Sequence, residues 1–300
     1  LIYFKYKILH PTPFKQAIPS FSLAHKVDCL RLDVMHPVVS GNKFFKLRFY
    51  IESALNKEAK TLASFGGPYS NHIVALAFAA KEAGLQSIGY IRTNENEPLT
   101  TSLAEAKSYG MALVFLGRTE FQSKKEDLLK EAAANPTYYF IDEGGYGTIG
   151  AKGAATILTN HETAQYDYIL AAVGTGTMLA GCINAALPHQ KVIGIPVLKN
   201  EGSIKTEIDA LLIDTNKPYT LLHQFHQGGY AKTNPSMIAY MNTLWDKEKI
   251  PTDIVYTSKL FFAVDQLIQE NYFEQGASIL ILHSGGLQGN RSLPAGSLQF

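Results

Sequence analysis

The chain has 300 residues, 46% hydrophobic and 18% charged, with a formal net charge of +1. That length buries a large core and holds two domains, and the composition is that of an ordinary soluble globular protein. The near-zero charge offers no broad field for nucleic acid or an acidic membrane, so a small neutral or zwitterionic substrate fits better.

The only cysteines, Cys29 and Cys182, form neither a metal-ligand cluster nor a disulfide framework. A reducing cytosol is the setting they suggest. Residues 1–10 are apolar but broken by Lys5 and Lys7, with no small-residue cleavage site, so no signal peptide is expected. No apolar run approaches the ~20 residues that cross a bilayer.

Residues 1–39 form a leading segment punctuated by Pro11, Pro13 and Pro19, and the alternation from Cys29 to Met35 predicts a strand. Then comes Ser40-Gly41-Asn42-Lys43-Phe44-Phe45-Lys46, where an extended stretch turns into a helix. Gly41 and Asn42 supply the bend, and the Asn42 side chain is expected to cap the helix. Lys43 and Lys46 stand three apart and share one face. One amine there can bond to a carbonyl while the other neutralises an anion. A solvated helix start with two surface lysines is the plainer reading.

A regular alternation follows. Strands are predicted at Thr61–Phe65, Gln86–Arg92, Ala112–Leu116 and Tyr138–Asp142, with helices at Asn71–Ala83, Ser102–Tyr109 and Phe121–Ala133. A Gly-rich break, Glu143 to Gly147, precedes a second series. Its helices are predicted at Ala151–Gln165, Met178–Leu187, near 204–212, Pro235–Asp246 and Leu260–Asn271. Its strands are Tyr168–Val173, Lys191–Val197 and Ser278–His283. Such alternation argues for parallel sheets covered on both faces, in two α/β units that meet near 144–151.

Three strand-to-helix or strand-end turns can carry chemistry. Gly66-Gly67-Pro68-Tyr69-Ser70-Asn71 follows a strand and opens a helix, where Ser70 and Asn71 offer a hydroxyl, an amide and free N–H groups. An ordinary Ser/Asn cap explains it equally. Gly174-Thr175-Gly176-Thr177 has the same placement and suits a single phosphate. A dinucleotide site wants an earlier third glycine and an acid at the end of the next strand, where Lys199 stands instead. A tight turn that binds nothing also fits. Ser284-Gly285-Gly286 ends an apolar strand, and Ser284 suits one neutral hydrogen bond to a ring nitrogen. Tyr230 and Tyr256 each lie beside a turn or strand end, where buried core tyrosines are also common. His36, His72 and His283 have no ligand spacing, so no metal site is read.

Taken in order, Gly41-Asn42-Lys43-x-x-Lys46-Leu47, Gly66-Gly67-x-x-Ser70-Asn71, Gly174-Thr175-Gly176-Thr177-x-x-Ala180-Gly181, Gly229-Tyr230, Val255-Tyr256 and His283-Ser284-Gly285-Gly286 form one set. It resembles the pyridoxal-phosphate enzymes of the 1-aminocyclopropane-1-carboxylate deaminase / D-cysteine desulfhydrase family. The resemblance implies an α/β fold of two open, mostly parallel sheets flanked by helices, fold type II, tryptophan synthase β-like. Residues 1–47 and 150–300 would form a large cofactor-binding domain, and 48–149 a small one. Lys43 resembles the lysine that bonds to the cofactor aldehyde, and Lys46 the second lysine near the phosphate. Asn71 matches the partner of the ring hydroxyl, and Gly174, Thr175, Gly176 and Thr177 the phosphate turn. Ser284 matches the partner of the pyridine nitrogen. Ser70, Tyr230 and Tyr256 match residues around the substrate. A homodimer acting on a small amino acid is expected.

The resemblance further implies that the substrate amine displaces Lys43, which then serves as a base. A hydroxyl at Ser284 limits charge on the ring and favours prompt loss of a β-leaving group. Two positions depart from the family pattern, Phe45 and Arg48, where Arg and Glu are usual. Thr257 follows Tyr256 where the deaminases proper carry a Glu. β-Elimination from D-cysteine is therefore favoured over cyclopropane ring opening. An amino-acid dehydratase is the second enzymatic reading, and a non-catalytic phosphate- or nucleotide-binding protein is the alternative outside enzymes.

Overall fold

The structure, a computed structural model, describes residues 13–22, 24–93, 97–199 and 201–300. The reading of residues 1–10 and the punctuation at Pro11 lie outside them. The chain begins with β1 (Lys15–Ala17), β2 (Lys26–Arg31) and α1 (Asn42–Asn56). Next come β3 (Thr61–Gly66), α2 (Asn71–Glu82), β4 (Gln86–Arg92), α3 (Thr101–Ser108), β5 (Ala112–Leu116), α4 (Arg118–Ala134) and β6 (Tyr138–Ile141). The second series is α5 (Thr148–Thr159), β7 (Tyr168–Val173), α6 (Thr177–Ala185), β8 (Lys191–Pro196), α7 (Glu201–Asp209), β9 (Thr220–Leu221), α8 (Pro235–Glu248), α9 (Thr257–Gln269) and β10 (Ser278–His283).

These strands make two sheets. One has six strands in the order β1-β2-β10-β7-β8-β9, the other four in the order β5-β4-β3-β6. Among the described residues only the β1–β2 pair is antiparallel. The sequence of β7, Tyr-Ile-Leu-Ala-Ala-Val, is apolar throughout because both of its faces are covered, and all six residues are buried. Leu280 and Leu282 of β10 pack with Ala151, Ala154 and Leu179 beneath α5 and α6. Ile279 and Ile281 point the other way, to Leu260, Phe261 and Val264 of α9. Each such side chain contributes about 1.5–3 kcal/mol through removal from water. The smaller sheet has its own core, in which Leu62 and Ile91 meet Leu76, Ala80, Leu47 and Ile51. Among the described residues no helix is long and apolar enough to cross a membrane.

Six local expectations change; two are helices that begin about three residues early, α4 at Arg118 rather than Phe121 and α7 at Glu201 rather than near 204. The strand expected from Cys29 to Met35 is instead β2 to Arg31 followed by a 3₁₀ turn over Leu32–Met35. Within that turn the Asp33 carboxylate reaches back to Arg31, at 2.8 and 2.7 Å. Asn42 does not cap α1: it is the first helical residue, Gly41 holds the cap position, and no side chain caps the helix. The helix expected at Ala151–Gln165 begins earlier, after Gly147, and ends at Thr159. The helix expected from Leu260 starts at Thr257. Its N-terminus is satisfied by Asp253, whose carboxylate accepts from the backbone N–H groups of Val255, Tyr256 and Thr257 and from the Thr257 hydroxyl.

Candidate active site

In a parallel sheet the strands deliver the loops after their carboxyl ends to one edge. Here β10 ends at His283, β7 at Val173 and β3 at Gly66, so Ser284, Gly174 and the approach to Ser70 all follow strand ends. A cleft forms among them. Lys43, Lys46, Asn71, Gly174, Thr175, Gly176, Tyr256 and Ser284 line it, with Ser40, Asn42, Gly144 and Gln288.

Gly41 sets the position of Lys43. Its φ is +61°, and a Cβ there would stand 1.8 Å from the Ser284 carbonyl oxygen. The Gly41 N–H donates to the Leu32 carbonyl at 2.9 Å and the Asn42 N–H to the Ser284 carbonyl at 3.2 Å. The first turn of α1 therefore docks directly on the turn after β10. From it Lys43 Nζ reaches the Asn42 side-chain oxygen at 3.0 Å, and Lys46 Nζ donates to the Gly144 carbonyl at 3.1 Å. Burial lowers the Lys43 pKa to about 8, although Asp253 opposes the shift. Lys46 lies still further below its ordinary value because it is buried and faces Lys43. Two lysines three apart on one helix face, Lys46 buried and Lys43 half-buried at the cleft, thus lose their charge more readily than exposed ones, which is what a nucleophilic amine requires.

The other expected residues divide into two groups. Thr175 and Thr177 share a hydrogen bond of 3.0 Å between their hydroxyls, and Thr177 is buried behind the cleft surface. No side chain caps α6, which begins at Thr177, so its leading N–H groups are left for a ligand. Asn71 donates to the Gly286 carbonyl at 3.1 Å, and its Oδ1 is buried with no hydrogen-bond partner among the described residues. Ser70 does not line the cleft: it caps α2 by accepting from the Ile73 N–H at 3.3 Å. Tyr230 also lies outside the lining. It is 48% exposed, and its ring meets that of Tyr256 edge-on with centroids 6.2 Å apart.

Several neighbours carry no motif in the sequence. His72 is buried beside both lysines, and its Nε2 lies 2.9 Å from the Ser64 hydroxyl. Burial first, then the two lysine charges, hold its pKa well below the usual value. Asp253 is fully buried, and burial raises its pKa although its N–H and hydroxyl donors oppose this. His283 donates to the Pro251 carbonyl at 2.6 Å and faces Asp33 at 3.4 Å, which fixes the strand end that carries Ser284. The one sequence signal for Asp253 is its place just ahead of an apolar helical run.

Two neighbouring amines in the cleft lining, a donor-rich turn at an uncapped helix start and an orphaned amide oxygen fit an aldehyde- and phosphate-bearing ring. The fold and this donor set define an enzyme that works through pyridoxal phosphate. Residues 7–285 match the family described as pyridoxal-phosphate dependent enzyme, and the chain belongs to that family. A Pyrococcus horikoshii protein provisionally named 1-aminocyclopropane-1-carboxylate deaminase is 27% identical over 84% of this chain and 81% of its own. The D-cysteine desulfhydrase of Klebsiella pneumoniae is 27% identical over 92% of each chain. A crystal structure described as the ACC deaminase homologue superposes with a TM-score of 0.82 at 26% identity, covering 94% of this chain and 92% of that one. The architecture is accordingly the type II fold of pyridoxal-phosphate enzymes.

Proposed function

We propose that this chain is a lyase that eliminates the β-substituent of a small amino acid, with D-cysteine as the favoured substrate and a 2-oxo acid, ammonia and sulfide as products. The observation that carries the choice is the environment of Thr257. Its side chain is fully buried, and its hydroxyl is held between the Asp253 backbone N–H at 2.7 Å and the Asp253 carboxylate at 2.8 Å. Cyclopropane ring opening lacks an easily lost α-proton and needs an acid or nucleophile facing the ring, and this hydroxyl is bound by Asp253 and is not part of the cleft lining. Deaminase names among the relatives support the second reading, 1-aminocyclopropane-1-carboxylate deamination.

In this reading Lys43 anchors the cofactor, with Lys46 and the Gly174–Thr177 turn at its phosphate, Asn71 at its ring hydroxyl and Ser284 at its ring nitrogen. Bound pyridoxal phosphate supplies an aldehyde for the substrate amine and a conjugated ring that accepts electrons from the α-carbon. Lys43 Nζ, once displaced, is a neutral base for the α-proton. By the resemblance, Ser70 would reach the substrate carboxylate from the start of α2, outside the cleft lining, and Tyr230 would join Tyr256 around the side chain from the cleft mouth. Loss of the α-proton and of sulfide leaves an unsaturated amine, which takes up water to give the oxo acid and ammonia. The division into 1–47 with 150–300 and 48–149 belongs to the same proposal.

The test is product release from D-cysteine, L-cysteine, D-serine and 1-aminocyclopropane-1-carboxylate by cofactor-loaded protein. Sulfide and oxo acid from D-cysteine, with none from the cyclopropane, is the expected result. Turnover of the cyclopropane without sulfide release from D-cysteine overturns the proposal.

A further inference from the structure

Lys259 is among the largest fully buried side chains of the protein, and nothing in the proposed chemistry uses it. A buried lysine is costly unless its amine is engaged. Its Nζ donates to the Gly229 carbonyl at 2.6 Å; burial lowers its pKa to about 8, and the nearby Asp253 charge opposes that shift. Gly229 has φ of +112°, a backbone region closed to side chains with a Cβ. A Cβ there would also touch the Lys199 stem at 3.5 Å. The next residue is Tyr230.

Lys259 lies on α9, three residues after Tyr256, which is the N-cap of that helix. One helix start therefore presents two groups to the cleft rim. Tyr256 stands in the lining, and Lys259 reaches under the neighbouring turn to hold its carbonyl. Asp253 ties the arrangement together through the N–H groups of Val255, Tyr256 and Thr257.

We propose that Lys259 is a positioning residue: by gripping the Gly229 carbonyl it fixes the Gly228–Gly229–Tyr230 turn, and so places Tyr230 edge-on against Tyr256 at the mouth of the cleft. This rests on the reading that Tyr230 encloses the substrate. The turn is tied to its own chain by the Gly229 N–H to the His226 carbonyl at 3.0 Å, the Gly228 N–H to His226 Nδ1 at 3.0 Å and the Lys232 N–H to the Gly229 carbonyl at 3.2 Å, all of them bonds within residues 226–232. The buried amine adds the tie to α9 from below, where water does not compete.

The experiment is amide hydrogen exchange on cofactor-loaded protein without substrate, comparing the parent with Lys259→Met. Exchange at 228–231 rises at least about tenfold in the variant, while α9 and β10 keep their protection. Unchanged exchange in that turn overturns the proposal. If Lys259→Met does not fold, Lys259→Gln, with a donor on a shorter stem, gives a smaller rise in the same segment, and no rise overturns the proposal equally. A double-mutant cycle supplies the second readout. Lys259→Met lowers kcat/KM for D-cysteine in the parent but not in Tyr230→Ala, because the two changes remove one interaction. Additive losses overturn the proposal. If the parent releases no product from D-cysteine, the functional reading fails while the exchange result still decides the role of Lys259.

Discussion

In the proposed role Lys43 has to be neutral to attack an aldehyde, and its surroundings decide when it is. With a pKa of about 8, roughly a tenth of it is neutral at pH 7. The rate of cofactor capture, followed by the visible colour that develops, rises about tenfold per pH unit below 8 and flattens above it. Lys43→Ala gives no such colour. The sign for stability follows from linkage. Because the folded pKa lies below that of the unfolded chain, the folded protein binds fewer protons between the two values. The Lys43 contribution to stability therefore grows as pH rises from about 8 to about 10.4. A flat stability profile over that interval in the parent, matching Lys43→Ala, contradicts this account. Gly41 gives a second prediction at the same scale. Gly41→Ala places a Cβ against the Ser284 carbonyl and costs more than about 3 kcal/mol in urea unfolding. Gly84→Ala, at φ of +70° in open space, costs only about 1–2 kcal/mol.

Among the elements, the start of α9 depends on one side chain, Asp253, which accepts from three of its N–H groups and one hydroxyl. Asp253→Ala removes the acceptor at the start of α9 and costs about 2–3 kcal/mol, read as a lower urea midpoint. What the sequence made legible follows from how local each signal is. β4, β5, β7 and β10 lie within the expected bounds, because a short apolar run between turn residues is a local pattern. The lysine face of α1 was legible too, since a spacing of three fixes it. Asn42 misled because capping propensity is a local preference, and the close approach of Ser284, more than two hundred residues away, put Gly41 in that place. The early start of α9 was illegible for the same reason: its first N–H groups are satisfied by a carboxylate that looks like part of a loop. His72 and Lys259 resemble scattered polar residues until the fold buries them beside the cleft.

Across the whole molecule, the cleft is bordered by both sheets. Asn71 from the smaller unit donates to Gly286 beside the larger sheet, and Arg291 pairs with Glu105 of α3. A ligand that engages Lys43, Asn71 and the Gly174 turn together stabilises both units by mass action. Pyridoxal phosphate at one hundred times its dissociation constant adds about 2.7 kcal/mol, seen as a higher midpoint of thermal unfolding. A Lys43→Ala protein at the same cofactor concentration loses most of that gain.

The helix that carries Lys43 begins against Ser284 yet contributes Leu47, Tyr50, Ile51 and Ala54 to the core of the smaller unit. It therefore works as a rivet whose head sits in one plate and whose shank sits in the other. Chimaeras inherit that constraint. Exchanging residues 57–142 for those of a relative leaves the rivet whole and the amine at its address, whereas a junction at 47/48 passes through the shank and asks two foreign halves to agree on a single helix.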